Sequence, residues 1–165
     1  MIKSKDLYMK SIYDLNGKKI GTSKEIFIDF NKGMVLGLEI NTLGFKNNYV
    51  DINDIIQIDK DILIRKVSEV RGLRFTEIKN MEVKDKCGNS KGVIEDLLID
   101  DDNYNIKGLI VNSGIFDTLI KGKEVILINN SILGEEYILY LGEPNIVFKN
   151  IPHELENNEN LKKAY

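Results

Sequence analysis

The chain contains nearly the same phrase twice, GKKIGTSKEIFID at 17–29 and GNSKGVIEDLLID at 88–100. With a displacement of 71 residues, positions 14–45 align with 85–116 without a gap, and nine of the 32 aligned positions are identical. Glycine serves tight turns, bends and close backbone approach, so glycines kept in step are informative. The repeat therefore predicts one small fold present in two copies, with three shared glycine positions: Gly17/Gly88, Gly21/Gly92 and Gly37/Gly108.

The apolar residues of both copies follow the period of two that is typical of β-strands. In the first copy Ile26, Ile28 and Phe30 fall on one face, and in the second copy Leu97 and Ile99 repeat the pattern. Turn residues recur about every 8–12 residues, the spacing of all-β barrels and sandwiches. The sequence therefore predicts an all-β fold made of two tandem small β-barrels.

The domain boundaries follow from the repeat. We expect the first repeat at 1–66, a linker at 67–78, the second repeat at 79–150 and a polar C-terminal tail at 151–165. The copies diverge after Phe116, where matching Val50 to Val125 requires about four extra residues and predicts a longer hairpin. A barrel of this size has a thin core and is marginal alone, so we expect the two repeats to pack against each other.

Two apolar residues, Phe27 and Leu98, occupy equivalent positions on the strand face that should point outward. One interpretation is a barrel wall covered by a neighbouring loop. The other is a pseudo-symmetric contact between the two barrels. The pattern favours neither.

Bulk properties exclude few function classes. Residues 1–75 carry a net charge of +3 and residues 76–165 a net charge of −6, and neither value indicates a nucleic-acid binder. A single cysteine, Cys87, permits no intrachain disulfide. Neither a signal peptide nor an apolar stretch long enough for a transmembrane segment is evident, so we expect a cytoplasmic protein.

The first copy reads DLNGKKIGTSKEIFID at 14–29, a D-x-x-G-x-x-I-G pattern that leads into an apolar strand ending in Asp. It resembles the opening of the PRC-barrel family. The second copy, DKCGNSKGVIEDLLID at 85–100, departs from the pattern at Lys91, where the family prefers an aliphatic residue. The resemblance covers nearly the whole chain except the last fifteen residues or so.

The resemblance implies a small β-barrel used as an interaction module, without shared catalytic residues. The fold occurs in the cytoplasmic domain of the photosynthetic reaction-centre H subunit and in the C-terminal domain of a ribosome maturation factor. Tandem copies look like a group of bacterial proteins of mostly unassigned role. Fold-level similarity alone does not define function.

Three features suggest sites, and each has a simpler explanation. The segment from Asp100 to Asn105 is rich in carboxylates and amides, but it lacks the Gly and Glu of an EF-hand loop, and we interpret it as a solvated turn. Cys87 and the single histidine, His153, have no neighbouring ligands in the sequence, so we expect no metal site and no cofactor.

All three arginines lie within ten residues, together with a lysine and one acidic residue. A functional interpretation is a phosphate-binding or partner-binding strip. The favoured alternative is a linker that forms salt bridges with the acidic second repeat, because interspersed valine and leucine indicate one packed face. The basic residues are Arg65, Lys66, Arg71 and Arg74.

No phosphate-binding glycine loop, nucleophile elbow or CxxC motif is present, so we expect no catalytic residues. We therefore predict a non-enzymatic protein-interaction or scaffolding module that docks an unidentified cytoplasmic or membrane-associated protein partner. Phe27 and Leu98, taken as exposed, are the predicted contacts, with the basic strip as an electrostatic guide. The alternative is an RNA- or ribosome-associated factor that uses the basic residues of 65–74 on phosphates.

Overall fold

The computed structural model describes residues 1–42, 49–69, 71–114 and 123–142, and this part of the chain forms two seven-stranded sheets. The predicted all-β class is confirmed. The first half contributes β1 Ile2–Lys3, β2 Ser11–Tyr13, β3 Lys19–Asp29, β4 Met34–Asn41, β5 Tyr49–Asp51, β6 Ile55–Ile58, β7 Ile62–Ile64 and β8 Leu73–Arg74. The second half contributes β9 Glu82–Lys84, β10 Ser90–Ile99, β11 Ile106–Asn112, β12 Glu124–Leu127, β13 Ser131–Leu133 and β14 Tyr137–Tyr140. The helical elements are the one-turn helix α1 Phe75–Ile78 and 3₁₀ turns at Ser4–Leu7, Ile52–Asp54 and Ile128–Asn130.

The two sheets have the same topology. The strand order is β5-β4-β3-β2-β7-β6 in the first sheet and β12-β11-β10-β9-β14-β13 in the second. Leu38 pairs with Val50, and its equivalent, Leu109, pairs with Ile126. Val50 therefore corresponds to Ile126 rather than to Val125, so the second repeat carries one more inserted residue than the sequence alignment indicates.

The predicted closure of each sheet into a barrel is wrong for the described residues. There, β5 forms no ladder with β6, and β12 forms none with β13. A three-residue 3₁₀ turn joins the two strands in each repeat, at Ile52–Asp54 and at Ile128–Asn130. The chain turns a corner at this point, so each sheet stays open along that edge.

The predicted tight turns form around Gly17 and Gly88, which have φ values of 75° and 83° in the left-handed region that glycine adopts without strain. The carboxylate that precedes each turn closes it in the same way. Asp14 Oδ1 accepts two backbone N–H groups of its turn, and Asp85 Oδ1 accepts the corresponding two. The repeated sequence thus encodes a repeated local structure.

Gly37 and Gly108 allow close approach of neighbouring strands, as the sequence predicts. A Cβ on Gly37 would overlap the carbonyl oxygen of Val50 and the ring of Tyr49. A Cβ on Gly108 would come within 2.5 Å of a methyl group of Val125. The buried apolar side chains of both repeats form one cluster, so the two copies share a core.

Candidate interaction surfaces

The repeats exchange their first strands. Strand β1 precedes the first sheet in the chain but pairs with β10 of the second sheet. Strand β8 precedes the second sheet but pairs with β3 of the first. The registers are equivalent, because Lys3 lies opposite Leu98 and Arg74 lies opposite Phe27. Each repeat therefore supplies a strand that the other repeat needs.

The two central hairpins meet at a pseudo-two-fold axis. The N–H of Val35 donates to the carbonyl of Tyr104 at 3.0 Å, and the N–H of Ile106 donates to the carbonyl of Gly33 at 2.8 Å. These hydrogen bonds are equivalent under the displacement of 71 residues. The expected packing of the repeats is therefore confirmed, and it is pseudo-symmetric.

Phe27 and Leu98 lie at this contact between the repeats. Phe27 is only 2% exposed, since Arg74 of the exchanged strand stacks on its ring at 5.1 Å and Tyr49 meets it edge-on at 5.5 Å. Leu98 is half-buried beneath Lys3 of the other exchanged strand. The premise that both side chains are exposed is wrong for Phe27, because the exchanged strand covers it.

Two buried carboxylates bind the exchanged segments, and no sequence pattern indicates them. Glu25 and Asp96 are equivalent residues at strand irregularities, 4% and 7% exposed. Glu25 accepts hydrogen bonds from the hydroxyls of Thr76 and Tyr8, and Asp96 accepts one from the hydroxyl of Ser4. Each carboxylate also accepts the backbone N–H of the next residue. Burial, followed by the charge of Glu25, raises the pKa of Tyr8 above its ordinary value.

Within the described residues, Lys66, Arg71 and Arg74 form ion pairs with carboxylates of the first repeat and none with the second repeat. Arg74 contacts Glu39 at 2.6 Å, and Arg71 contacts Asp51. Both carboxylates belong to the outer face of the first sheet and are 9% exposed.

Lys66 and Arg65 also contact the first repeat. The ammonium of Lys66 lies 3.8 Å from a carboxylate oxygen of Asp54, and the guanidinium of Arg65 donates to the carbonyl of Asn53. The predicted salt bridges therefore exist, and their predicted location was wrong. Strand β8 pairs antiparallel with β3, and this places the cations of the segment from 71 to 74 beside first-repeat carboxylates.

A shallow groove of about 660 Å³ lies beside this segment and has mixed charge. Burial tends to raise the pKa of Asp51, but hydrogen bonds from Asn53 and the charge of Arg71 outweigh it and hold that pKa below its ordinary value. The arginine and lysine of the groove stay 63% and 70% exposed. The groove is lined by Asp51, Asn53, Asp54, Lys66, Ser68, Glu69 and Arg71.

The turn that begins at Asp100 brings three carboxylates within 4.8 Å of one another. A hydrogen bond from the backbone of Asp102 and the ammonium of Lys107, 3.1 Å away, hold the pKa of Asp100 below its ordinary value. Asp101 and Asp102 are exposed, so the turn has the character of a solvated hairpin. Cys87 is exposed in its turn, and His153 lies outside the described residues.

The sequence patterns did not predict one exposed apolar surface, which lies on the second sheet. Val93, Glu82 and Tyr137 lie side by side across β10, β9 and β14, and the next row contains Lys84, Leu139 and Ile132. Directly paired residues share a face of the sheet, and this is the outer one, because Val83, Ile94 and Ile138 between them are fully buried. We call the surface formed by Val93, Ile132, Tyr137 and Leu139 the apolar face.

The side chains of the apolar face are more exposed to solvent than is usual for large apolar residues. Ile132 is 51% exposed, Tyr137 39% and Val93 37%. An ion pair within this surface joins Glu82 to Lys84 at 3.4 Å, and the ammonium of Lys84 lies 4.7 Å from the centre of the Tyr137 ring. The alternation in EEYILYL predicts this strand, but only the sheet order places it beside Val93.

The equivalent surface of the first repeat is more polar. It retains an apolar residue at the position of Leu139, namely Leu63. The position of Ile132 corresponds to a strand irregularity that contains Ile56 and Gln57, of which Gln57 pairs with Leu63. The other two apolar positions are occupied by Thr22 in place of Val93 and by Asp61 in place of Tyr137. The two copies share a fold and differ at this face.

Comparison with known families matches residues 1–71 to the PRC-barrel domain. The match confirms the family resemblance for the first repeat and ends just before β8. The second repeat lies outside the matched range, and its likeness to the first rests on its equivalent sheet. A comparison with curated proteins finds no match. Among the described residues, no helix has the length and apolar character needed to cross a membrane.

Proposed function

We propose that the chain is a non-enzymatic protein-interaction module, because residues 1–71 match the PRC-barrel domain. The apolar face of the second repeat is its docking surface. The family suggests interaction in general, and the difference between two otherwise equivalent faces supports this location. Exposed apolar clusters with a polar rim are typical of protein-binding sites.

The observation that carries the proposal is the exposure of Ile132, Tyr137 and Val93 on one continuous surface. In the described part of the chain, no strand or helix lies over them. Placing an aromatic ring at the centre of such a surface is costly in water and favourable in an interface, where tyrosine is enriched.

The test is site-specific photo-crosslinking from position 132. We expect a crosslinker there to capture a protein in native lysate, and the capture to disappear in the double variant Val93→Thr, Tyr137→Asp, which carries the residues of the first repeat. A crosslinker at Ile56, an exposed apolar residue in the corresponding strand of the first repeat, is the matched control. Equal capture from positions 56 and 132, or capture that survives the double variant, contradicts the proposed surface.

The basic residues Arg65, Lys66, Arg71 and Arg74 and the half-buried Leu98 remain predicted contributors to docking. RNA or ribosome association is the alternative that the basic residues predict. Their ion pairs with carboxylates reduce the positive charge available to phosphates, so this alternative has less support. It predicts RNA binding that weakens steeply with salt, and salt-insensitive or absent binding contradicts it.

A further inference from the structure

We infer that the partner of the apolar face is a second copy of this chain. This inference rests on the proposed function, because it names the occupant of the same surface. Glu82 and Lys84 carry opposite charges two residues apart on β9, and both lie on the outer side of the sheet. A surface that carries one charge of each sign on one strand is complementary to itself when turned end for end.

The geometry of such a pairing is simple. If a two-fold axis lies between the two faces and crosses β9 at Val83, the β9 strands run antiparallel. Glu82 of each copy then faces Lys84 of the other, and Tyr137 faces Leu139 of the other. Two ion pairs therefore form over β9, with the contacts of Tyr137 and Leu139 beside them on β14. An isologous interface repeats every contact twice.

The composition of the first repeat explains why it cannot form the same contact. Ser11 and Tyr13 occupy the positions of Glu82 and Lys84 in the first repeat, so that face lacks the pair of opposite charges. Asp61 replaces Tyr137 and would face Leu63 of the other copy. A carboxylate that loses water against an apolar side chain opposes association.

The experiment uses charge reversal on the full chain. Glu82→Lys leaves two lysines on β9, and Lys84→Glu leaves two carboxylates. We expect the unmodified chain to dimerise in sedimentation velocity over a concentration series, and each single variant to dimerise at least about tenfold more weakly. An equimolar mixture of the two variants should form a one-to-one heterodimer, as judged by native mass spectrometry. Asp61→Lys in the first repeat should leave dimerisation unchanged.

The outcomes separate this inference from the proposed function. A chain that stays monomeric throughout the series, or two variants that do not associate when mixed, overturns the second copy as partner. If the crosslinker at position 132 still captures another protein under those conditions, the docking surface stands and its occupant is different. A crosslink only to residues 143–165 of the same chain means that the face is covered internally, and this overturns both proposals.

Discussion

Met34 and Asn105, which occupy equivalent positions in the two repeats, form a β-bridge with each other. A residue that pairs with its own equivalent lies beside the axis that relates the copies. The chain is therefore organised as a dimer of repeats within one polypeptide, with its pseudo-two-fold axis between the hairpins after β3 and β10. The exchanged strands β1 and β8 are the outer parts of the same symmetric contact.

The first prediction concerns the hydroxyls that bind the buried carboxylates. Thr76→Ala removes a donor from Glu25, and Ser4→Ala removes one from Asp96. A buried carboxylate that loses a donor is left partly unsatisfied, so we expect each substitution to lower the free energy of unfolding by about 1–3 kcal/mol.

Hydrogen exchange followed by mass spectrometry gives the specific readout. We expect Thr76→Ala to speed exchange in β3 of the first sheet and Ser4→Ala to speed it in β10 of the second. Ser113→Ala, at an exposed position, is the control and should change neither. Faster exchange confined to the repeat in which the substituted residue lies in sequence would contradict the exchange of segments.

The second prediction separates burial from binding at Phe27. Phe27→Ala should lower the free energy of unfolding by about 3–5 kcal/mol, because the side chain is almost fully buried. Leu98→Ala should cost less, since its position is only half-buried. Urea unfolding followed by tyrosine fluorescence measures both values. Equal, small losses of stability would show that the exchanged strand does not cover Phe27 in solution.

The fold could be predicted from sequence where local chemistry repeats. The alternation of Ile26 and Ile28 determines the strand, and Asp14 and Gly17 determine the turn, since each acts within a few residues. Barrel closure could not be predicted, because it depends on whether two strands separated by a short 3₁₀ turn pair with each other. The sequence suggested copies that pack together and could not show that they exchange strands.

The candidate surfaces were predicted less well. The basic strip was recognised from composition, but its acidic partners, Glu39 and Asp51, become neighbours only through the pairing of β8 with β3. The apolar face combines Val93 with Tyr137, which lie far apart in sequence and adjoin the same central strand, β9. Such neighbours follow from sheet order, which periodicity does not specify.

The third prediction concerns the ion pair between Arg74 and Glu39. Glu39 is 9% exposed, so Arg74→Ala leaves a nearly buried carboxylate whose remaining described cation is Lys24, at 3.6 Å. We expect a loss of about 1–3 kcal/mol in the free energy of unfolding, part of it from the lost stacking on Phe27. A double-mutant cycle with Glu39→Ala should give a coupling energy of about 0.5–3 kcal/mol.

The matched control is the cycle between Lys24 and Glu39. Lys24 is 60% exposed, and exposed ion pairs contribute about 0–1 kcal/mol. Its coupling energy should be clearly the smaller of the two. If the two cycles give the same value, Arg74 does not anchor the exchanged strand through this carboxylate.

The fourth prediction is a pH dependence that originates at Asp51. Its pKa is lower in the folded protein than the ordinary value of 3.8, since hydrogen bonds from Asn53 and the charge of Arg71 outweigh burial. The unfolded chain therefore takes up the proton first as pH falls. The stabilisation is fully present above pH 3.8 and is lost as pH falls through that value towards the lower, folded pKa.

Asp51→Asn should therefore be less stable than the unmodified chain at neutral pH, and the difference in free energy of unfolding should shrink as the medium is acidified below the ordinary pKa. Arg71→Ala should raise the pKa of Asp51, because it removes the facing positive charge. Carbon-13 shifts of the Asp51 carboxyl, followed by NMR in both proteins, measure that pKa directly. If Arg71→Ala leaves the pKa of Asp51 unchanged, the Arg71 contact does not persist in solution, and the segment from 71 to 74 is held through β8.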